Sequence, residues 1–295
     1  MMIFYKLEKA LESEIDRNDL FSVKIEKRIK QLKKTKLLQR ELTQIEASAE
    51  KFMSAEIPSL SLKNFKLFFE NGSRQEYERK YFQRREALSS LAVMSLFSQG
   101  AEKEKYLNYL AEVIWKICSE FTWALPAHLD WNNYNPEEIS KAGVSSLKAT
   151  HFADDFIEAS KEVIDLFAAE TAFALAEITY LLESELDSLV LSRVKSEILN
   201  RVLLPFSDLK NSYHWESLKM NWSAVCAASI GSAAIYLLKD NQELSRILKR
   251  VIDSFEVYLS SFAEDGVSRE GPAYWNYGFS FYTYLAELLK KRTDN

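Results

Sequence analysis

One stretch concentrates residues suited to chemistry. Positions 264–284 read E-D-G-V-S-R-E-G-P-A-Y-W-N-Y-G-F-S-F-Y-T-Y and hold three of the chain's seven glycines and one of its five prolines. A phenol hydroxyl can give or take a proton, and a flat indole face suits one face of a pyranose ring. The stretch therefore reads as an aromatic loop that lines a cleft for sugar, with Tyr274 placed to handle protons and Trp275 and Tyr277 beside it. Glu270 has two readings: an acid in that cleft, or a carboxylate that pairs with Arg269 or caps a helix.

Two further stretches are irregular and aromatic. Residues 122–136, T-W-A-L-P-A-H-L-D-W-N-N-Y-N-P, contain His128 and Trp131. Residues 211–221, N-S-Y-H-W-E-S-L-K-M-N, contain His214 and end on Asn221, just before Trp222. Loops positioned by a rigid scaffold commonly carry function. His128 and His214 are candidate cleft residues, and Trp131, Trp222 and Trp275 are candidate sugar platforms; each tryptophan has core packing as its alternative. Asn221 also suits a helix N-cap, because its amide oxygen can accept a free backbone N–H.

The elements that must hold these residues read as helices. Few glycines and prolines, 47% hydrophobic residues and long 3.6-residue periodicity point to an all-α protein with a sizeable core. The pattern is helical from Ile3 to about Phe52, with a break expected at Arg17–Asp19 and turns at Ile57–Ser59 and Asn71–Ser73. Helices are expected from about Arg74 to Ser98, ended by Gly100, and from about Lys105 to Glu120, with Leu107, Leu110, Ile114, Ile117 and Phe121 as the apolar stripe. A nearly all-apolar helix from about Ala153 to Glu183 is interrupted by Asp165 and Glu170, buried carboxylates that need partners; each caps a neighbouring loop, the favoured reading, or faces a polar cleft. A helix from about Asp187 stops before Pro205. The small-residue run after Asn221 predicts a crowded inner helix, Gln242–Phe262 an amphipathic outer one, and Gly278 to about Lys290 the last.

Composition excludes several classes. A net charge of -5, with basic residues gathered only at Lys27–Arg40 on a helical pattern, argues against a nucleic-acid footprint. Cys118 and Cys226 lie in apolar surroundings, and three dispersed histidines give no zinc spacing, so no metal or cofactor is expected. No apolar run reaches the roughly 20 residues a membrane helix needs, and acidic residues stand where a signal peptide has its apolar core. A cytoplasmic location is the expectation. Arg84 and Arg85 read as partners in a surface salt bridge, with an anionic sugar as the alternative.

From about Tyr77 onward the chain resembles the helical domain of heparinase II/III-type polysaccharide lyases. The resemblance rests on D-G-V-S-R-E-G-P-A-Y-W-N-Y-G and N-W-S-A-V-C-A-A-S-I-G, with W-A-L-P-A-H and D-L-F-A-A-E-T-A-F-A-L-A-E in support. It implies a complete or incomplete (α/α) toroid of antiparallel helix pairs over residues 61–295, behind an N-terminal helical extension at 1–60. It further implies a C-terminal β-sandwich domain, absent from this chain, that completes the site. Its activity is cleavage of uronic-acid glycans, glycosaminoglycans among them, by β-elimination. Loss of the uronate C5 proton places charge on the carboxylate, which a nearby dipole must neutralise, while an acid protonates the departing oxygen. By resemblance Tyr274 is the acid, with Tyr277 as its rival because the spacing from Glu270 is one residue short of some members. Asn221 steadies the substrate carboxylate. Trp222 stands where some members have histidine, and His128 or His214 is the expected replacement.

Two other functions fit a helical toroid. An inverting glycoside hydrolase would draw its acid pair from Asp130, Glu264, Asp265 and Glu270. A non-catalytic carbohydrate-binding domain would use the aromatic cleft alone. In each case the expected partner is an acidic oligosaccharide or polysaccharide rather than a nucleic acid or a membrane.

Overall fold

Helix-forming periodicity with so few breakers leaves helices as the means of satisfying the backbone. The computed structural model describes residues 9–11, 25–129 and 163–293, and among these no strand forms. The helices are α1 (Ile25–Leu32), α2 (Lys36–Met53), α3 (Leu62–Asn71), α4 (Gln75–Phe97), α5 (Gly100–Cys118), α6 (Leu166–Leu181), α7 (Ser188–Ile198), α8 (Leu204–Ser207), α9 (Asn221–Leu237), α10 (Asn241–Leu259) and α11 (Pro272–Thr293). The expected break at Arg17–Asp19 and the first ten residues of the helix placed at Ala153–Glu183 lie outside the described residues. No helix among the described residues is long and apolar enough to cross a membrane.

Several boundaries differ from the sequence reading, each for a local reason. A turn at Lys33–Thr35 separates α1 from α2. Gly100, at φ 60°, opens α5 instead of ending α4, which stops at an extended Ser98. Among the described residues α6 starts only at Leu166, after Asp165. The helix expected to stop before Pro205 passes through it. A π-turn at Leu199–Leu203 widens the coil, and Pro205 then sits in the first turn of α8, where its missing N–H is least costly. The last helix begins at Pro272, six residues before the expected Gly278.

The chain divides into two compact units. Unit 1 is Met1–Ser13, Phe121–Phe173 and Glu197–Asn295; unit 2 is Glu14–Glu120 and Ala174–Ser196, so α6 belongs to both and residues on either side of position 60 lie in unit 2.

In unit 2, α4 packs against α2, α3 and α5. Tyr77, Tyr81, Leu88 and Leu91 are buried on α4, and each aliphatic side chain removed from water stabilises by roughly 1.5–3 kcal/mol. The α5 stripe is rotated from the expected one: Tyr106 and Val113 are buried with Leu110, Ile114 and Ile117, while Phe121 is exposed. Arg84 and Arg85 form no surface bridge. Both are salt-bridged to Glu120, which is buried.

In unit 1, α9 is the core. Every residue from Asn221 to Leu237 is buried except Trp222. Its alanines, serines and Gly231 let α10 and α11 approach closely: a Cβ on Gly231 would lie 2.9 Å from a methyl of Leu285 on α11. The amphipathic α10 buries Leu244, Leu248, Val251, Phe255 and Tyr258, and Asp240 caps its first turn by accepting from the N–H groups of Gln242 and Glu243. Arg250 on α10 pins the connection before α9, donating to both oxygens of Glu216 and to the carbonyls of Phe206 and Asn211.

Candidate active site

The aromatic stretch is not one loop. Its loop part ends at Gly271, where φ is 87°, and Pro272 starts α11 with its φ pre-set for helix; the Trp275 N–H already donates to the Gly271 carbonyl. Tyr274, Trp275 and Tyr277 are therefore fixed on a helix, where Tyr274 and Tyr277, three residues apart, share one side and Trp275 points away from it. Gly278 and Leu285 face α9. Phe279 and Tyr282 face the α10 side, with rings against Phe262 and Phe255. Tyr277, Phe281 and Tyr284 face α6, where they meet Glu170 and Phe173.

On that third face Tyr277 donates its hydroxyl hydrogen to Glu170. Burial raises the Glu170 carboxyl, the Tyr277 hydrogen bond opposes it and the Asp165 charge adds to it, which together bring it to about 7. Burial, then the Glu170 charge, holds the Tyr277 hydroxyl far above the ordinary tyrosine range. On α9 burial pushes up the Cys226 thiol, with Asp165 and Glu170 adding to the effect.

Asp165, fully buried, organises the next group. One oxygen accepts from the Ala168 N–H at 2.7 Å and caps α6; the other accepts from the Leu125 N–H at 3.2 Å and meets His128 Nδ1 at 2.7 Å. A carboxylate only accepts, so the neutral imidazole carries its proton on Nδ1 and its lone pair on Nε2. The ring stacks on Phe167 at 5.7 Å and meets the edge of Trp222 at 5.0 Å.

Glu270 performs a matching task at the start of α9. Its carboxylate accepts from the Asn221 backbone N–H and from Asn221 Nδ2, both at 2.6 Å. Of the two readings for Glu270, it is the helix-capping one that this geometry matches, and Met220 rather than Asn221 is the N-cap residue. Asn221 Oδ1 and the Tyr258 hydroxyl are both buried with no hydrogen-bond partner among the described residues. They flank Gly278, where a Cβ would come within 2.7 Å of the Tyr258 oxygen and 3.2 Å of Asn221 Cβ. Burial, then Glu270, pushes the Tyr258 hydroxyl up to about 12.

The starts of α6, α9 and α11 thus converge with the 123–129 turn. Helix N-termini carry partial positive charge, and those of α6 and α9 are already met by the carboxylates of Asp165 and Glu270.

No family model matches this chain, and no curated protein matches it.

The predicted residues fall into three groups. His128, Trp222, Asn221, Glu270 and Tyr277 lie at the convergence. Tyr274 is 56% exposed, one turn before Gly278 on the same stripe of α11; Trp275 is also exposed, its ring stacked on Phe279 at 5.2 Å. His214 is exposed at the start of a short 3-10 turn. Trp131 and Asp130 lie outside the described residues, and Glu264 and Asp265 are exposed on the loop before α11. In sequence Asp165 and Glu170 read first as structural caps and second as residues facing a polar cleft, and Tyr258 drew no reading. The available signal was two acids inside I-D-L-F-A-A-E-T-A-F-A-L, where an apolar face has no other use for charge.

The arrangement can move protons in two places. His128 Nε2 can accept one while Asp165 stabilises the imidazolium that forms. Tyr277 can donate one from its hydroxyl. Among the described residues no group of three His, Cys, Asp or Glu side chains is placed to hold a metal ion.

Proposed function

We propose that this chain is the helical part, arranged as an (α/α) toroid or a portion of one, of a lyase that cleaves uronic-acid oligosaccharides by β-elimination. The observation that carries the reading is the convergence of a His128–Asp165 pair and a Tyr277–Glu170 pair at the starts of three helices. His128 Nε2 takes the C5 proton. The second Nδ2 hydrogen of Asn221, whose amide Glu270 holds in place, offsets the charge that grows on the substrate carboxylate. Tyr277 protonates the glycosidic oxygen as the C4–O bond breaks, leaving a C4=C5 double bond in the product. The resemblance gives this acid role first to Tyr274. Geometry favours Tyr277, whose hydroxyl already engages a proton-bearing partner, whereas Tyr274 stands exposed at the rim and serves substrate binding with Trp222 and Trp275.

The hydrolase alternative requires a free carboxylate facing a second one, about 6.5–9.5 Å away. Glu170, raised to about 7, has the character of a general acid. Asp165 and Glu270 are each engaged by two or more donors, which weighs against either as the base.

The test is incubation of the protein with a panel of uronate oligosaccharides, followed by ultraviolet absorbance of the unsaturated product. Absorbance growing with enzyme concentration is the expected result. Reducing ends released without that absorbance would point to hydrolysis. Binding with neither signal would leave a carbohydrate-binding protein.

A further inference from the structure

The elimination as written leaves one titratable group without a task. Glu170 is half-buried on α6, beside Phe167 and Phe173 on the same side of the helix, and its carboxyl meets the Tyr277 hydroxyl. We infer that Glu170 is the proton store behind Tyr277, returning a proton to the phenol oxygen as the phenol gives its own to the leaving group. This rests on the lyase reading of the site.

The step balances. The C5–H electron pair becomes the C4=C5 π bond, and His128 holds the C5 proton as imidazolium. The C4–O bond breaks with its pair on oxygen, and that oxygen takes the Tyr277 proton. The phenolate takes the proton of the Glu170 carboxyl, which becomes carboxylate. Solvent exchange then carries one proton from His128 back to Glu170, restoring both groups.

Physical chemistry requires such a store. A phenolate on this face is strongly disfavoured, first by burial and then by the neighbouring acids, so it must be quenched as it forms. The titratable groups acting on Glu170 are Tyr277 from α11, Asp165 from the turn before α6 and, on α9, Cys226. Among the described residues no Lys or Arg hydrogen-bonds to the carboxyl. Burial therefore dominates, and raising the carboxyl to about 7 keeps an appreciable fraction protonated at neutral pH.

Glu170→Gln keeps the shape and a hydrogen bond to Tyr277 but has no proton to deliver and recover. With a uronate substrate that the wild type turns over, the variant should lose about 10²-fold in kcat with KM nearly unchanged. The fall in wild-type kcat as pH rises through about 7 should disappear with it. A purely structural glutamate would leave kcat and that limb in place. A second measurement needs no variant: the dependence of wild-type kcat on the deuterium content of the solvent should curve, because two protons move together. A straight dependence, or a Glu170→Gln enzyme with wild-type kcat and pH profile, overturns the proton store while the lyase reading stands. A wild type inert on every uronate overturns both.

Discussion

Two buried ionic clusters make an instructive contrast. In unit 2, Glu120 accepts from both ends of the Arg85 fork at 2.7 Å and from Arg84 at 3.0 Å, while Arg84 also donates to the carbonyls of Pro58 and Lys116. Burial works against the Arg85 charge, yet Glu120 and the Tyr81 ring, 3.8 Å from the guanidinium, more than offset it. Every charge there faces an opposite charge, so the cluster ties three segments together and has nothing left to offer a ligand. In unit 1, Asp165, Glu170 and Glu270 have no Arg or Lys hydrogen-bond partner among the described residues. They face a histidine, a tyrosine and an asparagine, beside two buried polar atoms with no partner there. Asp165 and Glu270 there cap α6 and α9, and Glu170 is met by a hydroxyl instead of an opposite charge.

The contrast can be broken from either side. The largest stability effect is expected for Glu120→Ala, which strands two buried guanidinium groups and should cost about 3–5 kcal/mol in denaturant unfolding. A loss under about 1 kcal/mol would mean that water already screens the cluster, and the contrast would fail. Next is Glu170→Gln. Burial raises the Glu170 carboxyl from 4.5 to about 7, so the folded state prefers it protonated. The stability this confers is fully present below about pH 4.5 and is lost as pH rises through about 7. Glutamine has no such loss. The variant should therefore gain on the wild type by on the order of 3 kcal/mol above pH 7 and by nothing near pH 4.5, read from unfolding curves at both. Equal curves at the two pH values would remove the raised carboxyl. A smaller effect, about 1–3 kcal/mol, is expected for Gly278→Ala, because its Cβ would press on the buried Tyr258 hydroxyl. If that variant is as stable as the wild type, α11 has room to shift and the packing around Asn221 is looser than described.

How far the sequence reaches is clearest in α9 and α11. The run of alanines, serines and Gly231 announces a crowded inner helix, and α9 is buried along its length. The small-residue signal works because close approach is a local steric matter. In α11 the same local reading misplaced the boundary. Gly271-Pro272 was taken for part of a loop, although Pro at the first helical position is a start signal. Six residues of error move Tyr274 and Tyr277 from a loop onto successive turns of one side of a helix, where Tyr274 is exposed and Tyr277 is half-buried against α6. Gly100 shows the same ambiguity, since positive φ serves either side of a helix end. The pairs that define the site lie beyond any local rule: Tyr277 meets Glu170 across 107 residues and Asn221 meets Glu270 across 49. Types were legible there, and partners were not.

The central claim is that proton chemistry belongs to the inward pair rather than to the exposed tyrosine at the rim. Uronate turnover by Tyr277→Phe and Tyr274→Phe, followed by product absorbance beside the wild type, tests it most directly. The account predicts a loss of about 10²-fold or more in kcat for Tyr277→Phe with affinity retained, and a change of no more than a few-fold for Tyr274→Phe. The reverse order, with Tyr274→Phe inactive and Tyr277→Phe near wild type, would contradict it.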